Sequence, residues 1–587
     1  MTVAISGADR PDIAPEKPDE RKPRAKWRAS LPAWLSVAGG TALIALHAIR
    51  YGGWMVDDAA ITFAYSRSVS EGLGPVVQAG AAPVEGYSDP TWLVLLAAGR
   101  LLGLFDHGTV FGLSDYIVFP KALALLCCAG ILVAGHLAAR RVTKCAWIVT
   151  SLFGVTLAAI PSFVIWCFSG LENSLYALVV VVLAVLLFRA VLDHRLLSAR
   201  IALAAGGLAA FAALTRPEGL SYGAAYPVVV LIWLRSTSIR QGLRQIGLSV
   251  GAFVLLTGAY FCWRYVEFGR LLSNPTVAKG QDAPGIEALT RIGDLVSYAG
   301  ALAVLVLAAV VGLALTRTVH WRRGLVALLV PLAIALADYA VLRPDWMGVY
   351  RFATPVWALG ALISTLAAVE VARQARPRTR ALLAAALAVA VVPSAVSFVN
   401  QSEQFRAAPT FPACAVADRS GRIFNAYADL AGVRQGSLLL ADLGGSSMTS
   451  RLHLIDLGGL GDSKIADYIH NGDAAGLRDY VFDEVKPTFI TTHTHGSGFH
   501  RIPVDPRLAR DYDQIFDSPD GEGFPGGDWV RKDAVATPAV LAELRAYAQQ
   551  NTARVDRAMN MTSLTAPGWT NNCGPTLRPG QTRLSLG

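Results

Sequence analysis

The sequence predicts a polytopic α-helical membrane protein with about eleven transmembrane helices and a C-terminal extracytoplasmic α/β soluble domain. Three observations predict it. The 587 residues are 53% hydrophobic and 16% charged, with a mean hydropathy of +0.43, whereas a soluble globular protein carries about a quarter charged residues. The apolar residues fall in long uncharged blocks, as membrane spans require. The charge is also split: residues 1–399 hold 34 Lys+Arg against 22 Asp+Glu, and residues 400–587 hold 18 against 21. The basic excess lies in short runs between apolar blocks, so one large soluble domain, a disordered chain and a nucleic-acid binder all fit poorly.

Residues 1–29 are polar and rich in Pro, Lys and Arg, and read as a disordered cytoplasmic arm. The first apolar stretch runs into Arg50, Tyr51 and Trp54 rather than a small-residue cleavage site, so it reads as a retained helix and not a signal peptide. Apolar spans follow at about 31–49, 117–138, 146–166, 173–192, 200–215, 220–235, 246–266, 294–316, 324–342, 353–371 and 381–399. The pair around Arg216-Pro217-Glu218 also reads as one re-entrant hairpin. Arginine placement orients the spans. With the basic arm inside, every second loop carries cations: Arg140, Arg141 and Lys144; Arg195 and Arg200; Arg235, Arg240 and Arg244; Arg317, Arg322 and Arg323; Arg373, Arg376, Arg378 and Arg380. Five successive loops obey the positive-inside rule. Residues 30–399 are then a plasma-membrane domain, and the loop at 50–116 and residues 400–587 lie outside.

In residues 400–587, SLLLAD (437–442), RLHLID (451–456) and PTFITTHTH (487–495) read as short buried strands, the first two followed by Gly-rich turns. Residues 538–561 read as a helix and 562–587 as a loop-rich tail. Five of the seven cysteines lie in or near spans, as small apolar residues. Cys414 and Cys573 are the two in the external domain, where an oxidising compartment makes a disulfide between them plausible.

The external loop after the first span carries the adjacent carboxylates Asp57 and Asp58. Stretches 59–72 and 91–105 read as amphipathic helices lying on the membrane. The plainer role for the Asp pair is to cap the first of these. Glu85, Tyr87 and Asp89 share the loop. Further external candidates are Glu172, Arg216, Glu218, Arg343, Tyr350 and Arg351, with Asp338 near the outer end of a span. For the segment holding Tyr350 and its two arginines, the plainer reading is an interfacial belt. Arg216 and Glu218 also read as a structural pair, and Glu172 as a cap.

The Asp57-Asp58 pair, Glu85-Gly86-Tyr87-Ser88, Ser169-Gly170-Leu171-Glu172, Thr215-Arg216-Pro217-Glu218-Gly219 and the IDLGGLGD stretch (455–462) together resemble the GT-C superfamily of membrane glycosyltransferases. The whole pattern is most similar to the mycobacterial terminal arabinofuranosyltransferases. That resemblance implies a GT-C type membrane domain and a decaprenyl-phospho-arabinofuranose donor. It implies an arabinan acceptor in arabinogalactan or lipoarabinomannan, to which a terminal β-(1→2)-arabinofuranose is added, with the soluble domain holding the acceptor. It assigns the general base to Asp57, with Asp58 as partner or alternative. A sugar hydroxyl attacking the anomeric carbon must lose its proton, and a carboxylate accepts it. The leaving lipid phosphate needs cations, for which Arg216, Arg343 and Arg351 stand ready. Arginine alone can meet a lipid monophosphate, so no cofactor is assigned, and a divalent cation is left open. A single displacement inverts configuration, so a β product from a β donor needs a second carboxylate, and Asp57 and Asp58 are candidates to divide those roles.

His493, His495 and His500 lack the acid or His spacing of a metallohydrolase, and read as loop histidines or acceptor contacts. Trp529 and Trp569 are candidate sugar-stacking residues. Three rival readings stand beside the first. One is a mannosyl- or internal arabinosyltransferase of the same superfamily. Another is a lipid-sugar transporter, against which the absence of an internal repeat counts. The third is an inert anchor for a wall-binding module.

Overall fold

A computed structural model of the chain describes residues 24–280, 285, 287–317, 321–344, 346–492, 497–518, 523–560 and 573–577. The membrane domain is built from α1 (Arg24–Ile49), α2 (Asp57–Ser70), α3 (Pro90–Leu101), a hairpin of β1 (Thr109–Val110) and β2 (Leu113–Ser114), α4 (Asp115–Ala139), α5 (Ala146–Ala159), α6 (Pro161–Cys167), α7 (Asn173–Leu192), α8 (Ala199–Thr215), α9 (Ala225–Ile232), α10 (Ile239–Phe268), α11 (Asn274–Lys279), α12 (Glu287–Ala299), α13 (Ala301–Arg317), α14 (Arg322–Val341), α15 (Thr354–Gln374) and α16 (Pro377–Ala407). Helices α7 and α15 are the most buried of the spans, and α10 and α16 lie at the rim. Small residues set the closest crossings. Gly40 of α1 lies against the backbone of Gly154 of α5, and a Cβ on Gly206 of α8 would strike the Ser249 carbonyl of α10.

Among the described residues, seven helices are long and apolar enough to cross a membrane singly, and two bent pairs bring the number to nine. The expected eleven spans shift accordingly. The 146–166 span is broken: Pro161 has no N–H to continue α5, and α6 turns away by 82°. The 294–316 span is likewise bent by 96° at Gly300, whose φ of +90° suits glycine. The expected pair at 200–215 and 220–235 appears as α8, a 3-10 segment over Pro217–Ala224, and the eight-residue α9. At the N-terminus helix begins at Arg24, inside the segment expected to be disordered.

The expected surface helix 59–72 is α2, but it does not lie on lipid. Ala59, Ala60 and Phe63 face the membrane-domain core, while Ile61, Ala64 and Tyr65 face a core of the C-terminal domain. It is sandwiched between the two. Helix α3 keeps Val94 and Leu101 exposed.

The C-terminal domain follows α16 through α17 (Ala413–Val416) and α18 (Ile423–Leu430). Its sheet comprises β3 (Ser437–Leu440), β4 (His453–Asp456), β5 (Phe489–Thr491), β6 (Tyr512–Asp517) and β7 (Gly527–Arg531), in the order β4-β3-β5-β7-β6. Strands β4, β3 and β5 are parallel, and β7 and β6 antiparallel. The three expected strands are all present, each shorter than read. Helix α19 (Leu443–Thr449) follows β3, α20 (Ser463–His470) follows β4, and the expected helix near 538–561 begins at Pro538. Cys414 and Cys573 are joined in a disulfide.

Candidate active site

The site forms where the carboxyl ends of β3 and β4 meet the first loop of the membrane domain. In parallel sheets this end gathers functional groups. Backbone threading fixes Asp57 and Asp58. The Val56 N–H donates to the Ser169 carbonyl (3.1 Å), Asp57 N–H to Phe411 O (3.1 Å), and Ala413 N–H to Met55 O (3.0 Å). The Trp54 indole donates to Thr410 O at 2.7 Å. The turn at 169, the linker at 410–413 and the start of α2 therefore hold one another in register.

The two aspartates face different surroundings. Asp57 is 4% exposed; its carboxylate accepts the Gly444 N–H at 3.1 Å and the Gly445 N–H at 2.7 Å. It caps α19, a helix nearly four hundred residues away in sequence, rather than its own helix, whose N-cap is Val56. Burial and the nearby Asp442 push its pKa well above the ordinary carboxylate range, against the two amides. Asp58 is partly exposed and pairs with Lys279 Nζ at 3.3 Å, at the end of α11. The two neighbouring carboxylates therefore meet different partners.

Two further carboxylates complete this seam. Asp442 follows β3, and burial lifts its pKa to about 7, with Asp456 and Asp58 adding to the rise. Asp456 ends β4 and accepts the Gly458 and Gly461 N–H groups at 2.9 and 2.7 Å; burial nonetheless lifts it to about 7. Helix α11 crosses beside them. Asn274 Nδ2 donates to Gly459 O at 3.1 Å, and Arg270, just before the helix, grips Asp467 of α20 at 2.6 Å. Arg343 donates to the Lys279 carbonyl at 3.0 Å.

Glu85, Tyr87 and Asp89 lie in the first loop, all buried. Glu85 accepts Arg264 Nη2 at 3.0 Å and the Tyr260 hydroxyl at 2.6 Å, both from α10. Burial raises its pKa, and Arg264 opposes that rise. Tyr87 packs edge-on against Tyr65. Asp89 accepts the Thr62 hydroxyl at 3.2 Å, and burial together with Glu172 holds its pKa well above the ordinary value. Glu172 does not cap α7. It binds Arg216, which also binds Glu218, and Arg351 approaches it at 3.7 Å. Arg216 lies over the Phe352 ring at 5.0 Å. Asp338 accepts the Ser221 hydroxyl at 2.6 Å.

A cavity of about 60 Å³ lies beside Arg264, lined by Ser88, Pro90, Pro217, Tyr260, Arg264 and Ser273 among others. The neighbouring face of α10 exposes Val254, Leu255 and Leu256, as a lipid-facing helix does.

The structure thus gathers Asp57, Asp58 and Arg343 at the seam, and Glu172, Arg216, Glu218 and Arg351 behind it. Tyr350 packs at a tilt against the Tyr298 ring, centroids 4.5 Å apart. His493, His495 and Trp569 lie outside the described residues. His500 is buried, its Nδ1 accepting the Ile502 N–H at 3.1 Å. Trp529 packs against a core of the C-terminal domain. The described residues hold no His, Cys, Asp and Glu cluster of metal-site geometry. Sequence reasoning missed Lys279, Arg264, Tyr260, Asp442 and Asp456. A signal existed for the last two: Asp-Leu-Gly-Gly closes two strands, at 442–445 and 456–459. Lys279 and Arg264 carried none, since their partners are distant in sequence.

No family model and no curated protein matches the chain. Solved structures do. ArnT from Cupriavidus metallidurans bound to undecaprenyl phosphate aligns with a TM-score of 0.53 at 12% identity, over 87% of this chain and 100% of that one. The same protein in the apo state aligns at 0.54 and 13%, over 88% and 100%. The arabinofuranosyltransferase AftD from mycobacteria aligns at 0.45 and 16%, over 78% of this chain and 35% of that one, too loosely to bear on the sugar transferred. The chain therefore shares the fold of ArnT, a multi-helix membrane domain followed by a smaller domain with a sheet.

Proposed function

We propose that the chain is a polyprenyl-phosphate-sugar-dependent glycosyltransferase with Asp58 as its general base. The observation that carries this reading is the Asp58–Lys279 ion pair. It sets a partly exposed carboxylate and a half-exposed cation side by side where membrane domain and C-terminal domain meet. The acceptor hydroxyl oxygen attacks the anomeric carbon, its proton passes to Asp58, and the carbon–oxygen bond to the lipid phosphate breaks. The phosphate leaves with the bonding electrons, and Lys279, released from Asp58 by that anion, balances its charge. The lipid tail reaches the seam along the exposed face of α10, and the Arg264 cavity receives the head of the chain. ArnT, which shares the fold, is itself bound to undecaprenyl phosphate.

The donor we assign is decaprenyl-phospho-arabinofuranose and the acceptor an arabinan, with a terminal β-(1→2)-arabinofuranose as product. The support is the resemblance of the loop and turn motifs. The C-terminal domain lies on the extracytoplasmic side, where the arginine pattern puts it. Asp57 serves the fold rather than the base role, because both its oxygens already hold backbone amides. If the reaction retains configuration, the second carboxylate is Asp442. The test is a transfer assay with full-length protein in liposomes, supplied with radiolabelled decaprenyl-phospho-arabinofuranose and an α-(1→5)-arabinoside, followed by linkage analysis. A β-(1→2)-capped product is expected. Transfer from a mannose donor instead would overturn the sugar, and no transfer from any lipid-phosphate sugar would overturn the reading.

A further inference from the structure

We propose that a second cavity, at the opposite end of the helix bundle, binds the anionic headgroup of a membrane phospholipid. The cavity measures about 290 Å³ and lies between the end of α7, the end of α9 and the starts of α10 and α14. Its walls are Val230, Trp233 and Leu234; its polar groups are His194, Ser238 and Arg323, with Gln241 held by the Leu197 carbonyl at 3.2 Å. Arg323 is exposed and has no ion pair among the described residues.

The charge around it is one-sided. Arg195, Arg235, Arg240 and Arg322 flank it. The nearby acid Asp193 is bound to Arg141 at 2.9 Å. Next to the cavity, Leu231 is 54% exposed and Ile232 48% exposed, so the apolar wall continues onto the surface that acyl chains cover. An apolar wall ending at an arginine suits a molecule with a tail and an anionic head. A free inorganic anion gains nothing from the wall. The arginine pattern also places this end at the cytoplasmic leaflet, whose surface potential is negative. No catalytic residue lies here, so the proposal stands apart from the glycosyl-transfer reading.

The test uses the full-length protein, delipidated in detergent and titrated with phosphatidylglycerol or phosphatidylcholine under native mass spectrometry. Phosphatidylglycerol is expected to bind the tighter of the two. Arg323→Gln is expected to weaken it about fivefold, the contribution of one cation at a membrane surface, and to leave phosphatidylcholine unchanged. Ser238→Glu, which adds an acid inside the cavity, is expected to weaken it at least as much. Equal binding of the two lipids, or wild-type affinity in both variants, would overturn the proposal. So would displacement by millimolar inorganic phosphate, which would make the occupant a free anion.

Discussion

Successive residues of an α-helix point about 100° apart, so Asp57 and Asp58 meet different partners although they are neighbours in sequence. Asp57 turns to the amides of α19 and Asp58 to Lys279. The acids of the seam also set how stability depends on pH. Burial raises Asp442 to about 7 in the folded chain, against about 3.9 when unfolded. Between those values the folded state holds the extra proton, so stability falls as pH rises from about 4 to 7 and stays lowered above that. Asp442→Asn is therefore expected to raise the melting temperature by a few degrees at pH 8 and to change little at pH 4, read by thermal unfolding in detergent at both values. Under the proposed mechanism, Lys279→Met removes the cation that would balance the leaving phosphate. Its turnover is expected to fall by about tenfold or more, while Asp58 stays in place.

Among the elements, α19 and α2 depend on each other. Gly444 lets the start of α19 approach Asp57: a Cβ there would collide with the Asp57 carbonyl and crowd its carboxylate, while one on Gly445 would strike the Ala413 carbonyl. Gly444→Ala is expected to destabilise the junction by about 1–3 kcal/mol, seen as a lower melting temperature and a gain in protease cutting between α16 and α19. The spans and the strands were legible in the sequence because apolar block length and strand alternation are local signals. The IDLGGLGD turn was legible as a motif but not as a partner of the first loop: Gly86 abuts the Leu460 carbonyl, a contact between residues far apart in the chain. The sequence of helix α2 reads as lying on lipid because its apolar face is real. Its second apolar face meets a domain that only the fold brings there. The breaks at Pro161 and Gly300 carried a local signal, but the 82° and 96° turns follow from packing.

Across the whole molecule, the C-terminal segment ties the two domains together. The Cys414–Cys573 disulfide anchors it, and beyond it the Leu577 carbonyl accepts from Arg67 at 2.8 Å. Thr576 donates to Asp106 at 2.8 Å, and Arg422 donates to the Pro575 carbonyl at 2.8 Å. The strap thus reaches beyond the C-terminal domain, to α2 and the loop before β1. Cys573→Ser is expected to cost about 2–4 kcal/mol of stability and to loosen the first loop, read as faster amide exchange in α2. The pairing was legible because these are the two cysteines of the C-terminal domain, whereas the segment's bonds to Arg67 and Asp106 had no sequence signal. The central claim, that the seam holds a general base at Asp58 beside a structural Asp57, is tested most directly by donor binding and sugar transfer measured side by side for wild type, Asp58→Asn and Asp57→Asn. The expected result is that Asp58→Asn binds the lipid-phosphate donor yet loses at least about a hundredfold in transfer, while Asp57→Asn is less stable but still transfers sugar. Full transfer by Asp58→Asn, together with its loss in a folded Asp57→Asn, would contradict the account.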